Sequence, residues 1–218
     1  MEVQSSNFPV HQIAGDTCIM PLSYLPPIEF YQIMLKYKNV VLDIHEHFHK
    51  QFYFNRCEIY GANGKLKLSV PVKKNRDRTP LKDASVSYDQ NWRTIHWRSI
   101  QAAYRRSPFF EYYENEMAPI YLNHAPEKLI DWNLKLFELV NNLLGVEVRL
   151  SFTESYQKVY ENAADYRNLN LPKLSGISAL KEIQYQQVFQ EKYGFIKNLS
   201  ILDLLFCEGH YARQILLA

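Results

Sequence analysis

The sequence predicts an α/β fold: one domain over residues 1–218, with a mixed β-sheet, flanking helices and a β-hairpin extension. Two short apolar runs, Cys18-Ile19-Met20 and Val40-Val41-Leu42, have the length of buried strands. Between them Ile28, Tyr31, Met34 and Leu35 recur at helical spacing. Farther on, Asn63-Gly64 separates two strand-like segments, the signature of a tight hairpin.

The elements follow in order. Residues 1–16 read as a loose or edge segment. The first strand stops at Pro21, and Ser23 to Pro27 is a turn whose prolines force extended backbone before them. Pro27 suits the first turn of a helix over residues 28–38, closed by Asn39. The second strand delivers Asp43 to its end, where open α/β sheets bind ligands. Arg56 to Tyr60 resumes as a strand. After the Asn63-Gly64 turn, Leu66, Leu68, Val70 and Val72 alternate with polar residues in a half-buried return strand.

Lys73 to Asp83 is a charged loop, read either as a solvated linker or as an anion-binding segment. Asp89 or Asn91 can cap the next helix, whose broad apolar face holds Trp92, Ile95, His96, Ile100, Ala103 and Tyr104. Ser107-Pro108 breaks it. Phe109 to Tyr113 is aromatic-rich and expected to line a cleft or cover the core. Pro126 starts a long helix with Ile130, Leu134, Phe137, Val140 and Leu144 inward and Gly145 at its end. Val146 to Phe152 alternates as a strand. Residues 153–198 are the least legible stretch, with a helix candidate near 178–191. Ser200 opens a last helix, with Asp203 as an acidic capping-box variant.

Composition narrows the function classes. A hydrophobic fraction of 47% is ordinary for a globular chain and supports a sizeable core. A net charge of +2 provides no global field to recruit nucleic acid. Three cysteines, none in a CxxC pair, favour a reducing compartment. The first residues lack the basic start and apolar run of a secretory signal, and no apolar stretch approaches the ~20 residues of a membrane span. A cytoplasmic protein is expected.

Chemistry concentrates in one run, Asp43 to Arg56, DIHEHFHKQFYFNR. His45, His47 and His49 alternate, so on a strand they would share one face and could hold a divalent metal, with Asp43 and Glu46 completing the set. The other reading, a solvated polar stretch, is preferred for His47 and His49, and no bound metal or cofactor is expected. His45 with Glu46 instead suits a base and its orienting acid, able to deprotonate an amine or hydroxyl nucleophile. Lys50 and Arg56 would bind a carboxylate or phosphate, Arg56 through its planar fork. Asn55-Arg56 can equally be a loop tied down by backbone hydrogen bonds. His96 lies on an apolar helical face, where a histidine is either a satisfied core residue or a site residue. Cys57 reads as a small buried hydrophobe rather than an activated thiolate.

The order of motifs resembles the WbqC-like proteins, encoded in bacterial surface-polysaccharide (O-antigen) gene clusters. Met20-Pro21 with Tyr24, Pro26 and Phe30 resembles the family's opening pattern. Lys50 with Asn55-Arg56, the Asn63-Gly64 hairpin and Val70-Pro71-Val72 follow it. Trp92, His96, Ile100, Tyr104, Pro108 and Phe110 resemble the family's central helix, and Leu199 to Phe206 with Gly209 its closing motif. The likeness spans about residues 18–210. The chain departs from the pattern where Ile44-His45-Glu46-His47 replaces an Asp-Asp-x-Gln, at Tyr53, and at Glu208 and His210.

The resemblance implies a transferase of O-antigen assembly that moves a small group, such as a glycyl unit, to a sugar. Joined to the residue reading, it assigns Asp43, His45, Glu46 and His96 to catalysis. Tyr24, Lys50, Asn55 and Arg56 are assigned to binding a small-molecule substrate, an activated sugar or acyl donor. The alternative is a non-catalytic module that organises other glycan-biosynthesis proteins through an aromatic surface. Convergence of Asp43, His45, Glu46, Lys50 and Arg56 in a concave pocket, with His96 approaching from its helix, separates the two.

Overall fold

A computed structural model describes residues 15–49, 52–74, 78–170 and 180–218. Strand β1 (Thr17–Pro21), helix α1 (Ile28–Met34) and strand β2 (Asn39–Asp43) form a parallel β-α-β unit. Pro27 stands at the N-cap, and α1 ends at Met34, short of the expected residue 38. The chain turns there because the amides of Leu35, Lys36 and Tyr37 bond back to Tyr31, Ile33 and Met34.

Strands β3 (Arg56–Gly61) and β4 (Gly64–Ser69) form the antiparallel hairpin. Gly61 pairs with Gly64, so Ala62-Asn63 is the loop and the single positive φ, +96°, falls on Gly64. This is a one-residue correction to a turn read at Asn63-Gly64: Ala62 and Asn63 keep negative φ, and only glycine has no Cβ to clash at the turn exit. Leu68 and Val70 are buried in the core, while Leu66, near the hairpin tip, is 38% exposed.

Helices α2 (Trp92–Tyr104), α3 (Phe110–Asn123) and α4 (Leu129–Leu144) follow. In α2 the buried face carries Trp97, and Ile95 is 59% exposed, reversing the expected placement of Ile95. Trp97 stacks on Phe110 and Tyr121 of α3, a larger apolar burial than Ile95 offers. The aromatic run after Pro108 is the first turn of α3: Phe110 is buried and Tyr112 points outward. Helix α4 starts at Leu129 rather than Pro126 and ends on Gly145 in the left-handed conformation. Its buried stripe is Leu129, Trp132, Leu136, Phe137, Val140 and Leu144, with Ile130 and Leu134 at its margin.

Strands β5 (Arg149–Phe152) and β6 (Ala164–Asp165) complete a four-stranded parallel sheet of order β5-β2-β1-β6. The expected mixture of strand directions is thus divided between this sheet and the separate hairpin. In the described part of the expected 178–191 helix, residues 180–187 are not helical, and α5 covers Gln190–Tyr193 alone. The side chains there serve tertiary hydrogen bonds instead: Tyr185 and Gln187 both donate to Asp203.

Helices α6 (Ile201–Glu208) and α7 (Ala212–Leu217) close the chain. Ser200 caps α6 by accepting from the Leu202 amide, as expected. Asp203 does not complete a capping box: it is fully buried and accepts from Tyr104, Tyr185 and Gln187. The core is one apolar cluster, in which Phe30 and Tyr31 of α1 meet Phe137 of α4. Cys18, Cys57 and Cys207 are free and buried within it, and burial raises each thiol's pKa. Among the described residues no helix is long and apolar enough to cross a membrane.

Candidate active site

The parallel register decides what meets at the carboxyl edge of the sheet. Pro21 lies opposite Asp43, Leu42 opposite Phe152, and Ile19 opposite Asp165. Asp43, Thr153 and the residues after Asp165 therefore emerge side by side from three strands, although far apart in sequence. Strands two places apart in a sheet are separated by about 10 Å, a span that an arginine side chain can bridge.

Arg167 makes that bridge. Its Nη1 donates to Asp43 Oδ2 at 3.2 Å, and its Nε and Nη2 donate to Asp165 at 3.0 and 2.6 Å. The remaining guanidinium hydrogens go to the carbonyls of Gln157 and Lys158. All five donors of the fork are thereby engaged within the protein. Tyr160 lies under the guanidinium, 4.8 Å from ring centre to Cζ.

Asp43 is 0% exposed. Its Oδ1 accepts from the backbone amides of His45 and Glu46 at 2.9 and 3.2 Å and from Thr153 Oγ1 at 3.0 Å. The amide bonds fold the chain into a tight bend directly after β2, the local turn an aspartate favours. Backbone bonds from Phe48 to Thr79, Leu81 to Glu46 and Lys82 to Ile44 then clamp the run against residues 79–82. His45 and Glu46 are held on this frame. His45 Nδ1 lies 3.0 Å from Thr153 Oγ1.

Glu46 is partly buried, and its Oε2 is inaccessible and has no hydrogen-bond partner. Burial, and then the charge of Asp43, push its carboxyl up to about 7, against the opposing pull of Arg167. A carboxyl raised toward neutrality can hold and pass a proton, a requirement of general acid–base chemistry, but no hydrogen bond joins Glu46 Oε2 to His45.

Other assigned residues lie elsewhere. His47 stacks on Tyr156 with ring centres 5.4 Å apart, His49 packs on Phe52, and Lys50 lies outside the described residues. Among the described residues no three His, Cys, Asp or Glu side chains are grouped closely enough to hold a metal ion. Asn55 donates to the Val70 carbonyl and Val70 returns a bond to Asn55, so this side chain fastens the base of the hairpin. Arg56 opens β3, where its charge acts on Tyr53 beside Glu58 and Glu29, and its Nε is buried without a partner.

His96 is buried on α2. Its Nδ1 is 3.0 Å from the Tyr24 hydroxyl, which lies 2.9 Å from that of Tyr121, and Ser69 supplies a backbone partner. Burial lowers its pKa to about 4, so it is a neutral member of a core network. Tyr24 and His96 thus come together with each other, and their hydrogen bonds do not reach Asp43.

Three residues of the edge cluster escaped the sequence reading: Thr153, Asp165 and Arg167. Thr153 directly follows a run recognised as a strand, so the strand-end argument that singled out Asp43 applies to it equally. Asp165 ends a two-residue strand and Arg167 follows it, and so short a strand shows no periodicity to reveal them.

Comparison with known proteins agrees with the motif order. The chain is 24% identical over 223 residues to the uncharacterized protein Rv1507c of Mycobacterium tuberculosis (strain ATCC 25618 / H37Rv), an alignment covering 91% of this chain and 96% of that protein. No solved structure matches the chain. The model of the WbqC-like protein family matches residues 23–180, a stretch that takes in Asp43, His45, Glu46, Thr153, Asp165 and Arg167. Carrying both the ordered motifs and this match, the chain belongs to the WbqC-like protein family.

Proposed function

We propose that the protein is a cytoplasmic transferase of surface-polysaccharide assembly, moving a small acyl group such as a glycyl unit from an activated donor to a sugar. The observation that carries this reading is the cluster of Asp43, His45 and Glu46 on one hydrogen-bonded frame at the carboxyl edge of a parallel sheet, with the Glu46 carboxyl raised to about 7. Arg56 and His96, expected to converge there, stand in the hairpin and the core instead. His45 takes the proton from the sugar's hydroxyl or amine. The freed oxygen or nitrogen attacks the donor's acyl carbon and forms the new ester or amide bond. The bond to the carrier breaks, and the leaving group takes its proton from Glu46. Asp43 and Arg167 contribute by holding the frame, since their polar atoms are already paired.

The experiment is transfer itself. Purified protein is incubated with a nucleotide sugar and an activated glycyl donor, and products are followed by mass spectrometry. Glycyl-sugar formation that falls at least ~100-fold in His45→Gln is expected, the usual scale of a lost base. Transfer that is unchanged in both His45→Gln and Glu46→Gln overturns the reading.

A second reading, a binding module for glycan-biosynthesis proteins, has its own support. Leu150 and Phe152 on the edge strand β5, with Tyr156 and Val159 after it, are exposed apolar side chains. Absence of transfer, together with a partner protein lost on Phe152→Lys, favours that reading.

A further inference from the structure

Thr153 has one hydroxyl proton and three polar neighbours. Its Oγ1 lies 3.0 Å from Asp43 Oδ1, 3.3 Å from the Ile44 amide and 3.0 Å from His45 Nδ1. Asp43 is ion-paired to Arg167 and takes two backbone amides on Oδ1, so it acts as an acceptor throughout. The Thr153 proton must therefore point to Asp43, because otherwise two lone pairs would face each other at 3.0 Å in a buried site. With that proton committed, Thr153 Oγ1 can only accept from its other neighbours. The Ile44 amide donates to it, and His45 Nδ1 must donate as well.

We infer that Thr153 is a positioning residue. Together with Asp43 it holds neutral His45 in the tautomer protonated on Nδ1, leaving the lone pair on Nε2 as the base. This rests on the reading of His45 as the base. The arrangement places a hydroxyl between carboxylate and imidazole. It orients the ring and selects its tautomer without a direct carboxylate contact, so the imidazole keeps a weaker hydrogen-bond partner than an anion would provide. Free imidazole side chains in water favour the opposite, Nε2-protonated tautomer, so the assignment differs from the default.

The test uses the full chain labelled with the heavy nitrogen isotope, at about pH 8.5, two units above the ordinary imidazole value. Long-range proton–nitrogen correlation spectra distinguish a protonated ring nitrogen from an unprotonated one, and His45→Gln identifies the His45 signals. Wild type is expected to show protonated Nδ1 and bare Nε2 at His45. Thr153→Ser keeps that pattern, and Thr153→Val shifts most of the population to Nε2–H. A wild-type spectrum with the proton on Nε2 overturns the inference, whatever the activity and whether or not Thr153→Val folds. A folded Thr153→Val with an unchanged His45 pattern overturns it too. Protonated Nδ1 in wild type, combined with transfer indifferent to His45→Gln, supports the tautomer assignment while removing the base reading.

Discussion

Replacing Glu46 by glutamine should stabilise the protein, and by an amount that depends on pH. In the unfolded chain the carboxyl ionises near 4.5, whereas burial and Asp43 hold it up to about 7 in the fold. Between those values the folded state binds the extra proton, so stability falls as pH rises through this window. Each tenfold difference in proton affinity corresponds to about 1.4 kcal/mol, which makes the full penalty about 3 kcal/mol, or roughly 2 once partial exposure is allowed for. Glutamine has nearly the same shape and no charge to desolvate. Any penalty from the unpartnered Oε2 position is the same at all pH values and cancels in the comparison. Urea unfolding of wild type and Glu46→Gln at about pH 5 and about pH 8 should show the variant's advantage growing by roughly 2 kcal/mol. An advantage equal at both pH values would mean that Glu46 is solvated and ordinary. Glu46 would then hold no proton near neutrality and could not serve as the acid of the site.

Three further outcomes are expected. Arg167→Ala leaves Asp43 and Asp165 without their cation and should cost about 3–5 kcal/mol in chemical unfolding; a loss below about 1 kcal/mol would contradict a bridging role. His96→Asn removes a group held down to about 4 in the fold. Unfolded histidine gains its proton below about 6.5, so wild-type stability from this group is present above that pH and lost as pH falls toward 4. The variant should lack about 2 kcal/mol of the change between about pH 7.5 and pH 5, measured by the same urea titration. Gly209→Ala meets two obstacles: its φ of +56° disfavours an L side chain, and a Cβ there would overlap the Phe109 ring. A loss of about 2–4 kcal/mol is expected, read as a lowered melting temperature, and a neutral substitution would show that the contact with Phe109 relaxes freely.

The amino-acid sequence alone determined the fold class, the two buried strands, the hairpin, the capped closing helix and the place of Asp43 at a strand end. Each of these rests on local signals: apolar run length, turn chemistry, helical spacing and a side chain that caps its own neighbours. Ile95 and Trp97 show where local pattern stops, since both fit an apolar face and only the stacking on α3 decides between them. Asp203 shows it again: its spacing from Ser200 suggests a cap, but Tyr104 and Tyr185, distant in sequence, claim the carboxylate.

The candidate site divides in the same way. Asp43, His45 and Glu46 were legible because one strand end and the residues after it are contiguous. Which cation answers them was not legible. Arg56, read as a substrate-binding residue, opens the hairpin, and the cation paired with Asp43 is Arg167, 124 residues away. Strand order β5-β2-β1-β6 puts Thr153 on one flank of Asp43 and Arg167 on the other. Only tertiary structure sets that order, because strand neighbours are chosen by long-range hydrogen bonding and packing that no local pattern encodes. The raised carboxyl of Glu46 is likewise tertiary in origin, a product of desolvation and of Asp43's charge rather than of residue type.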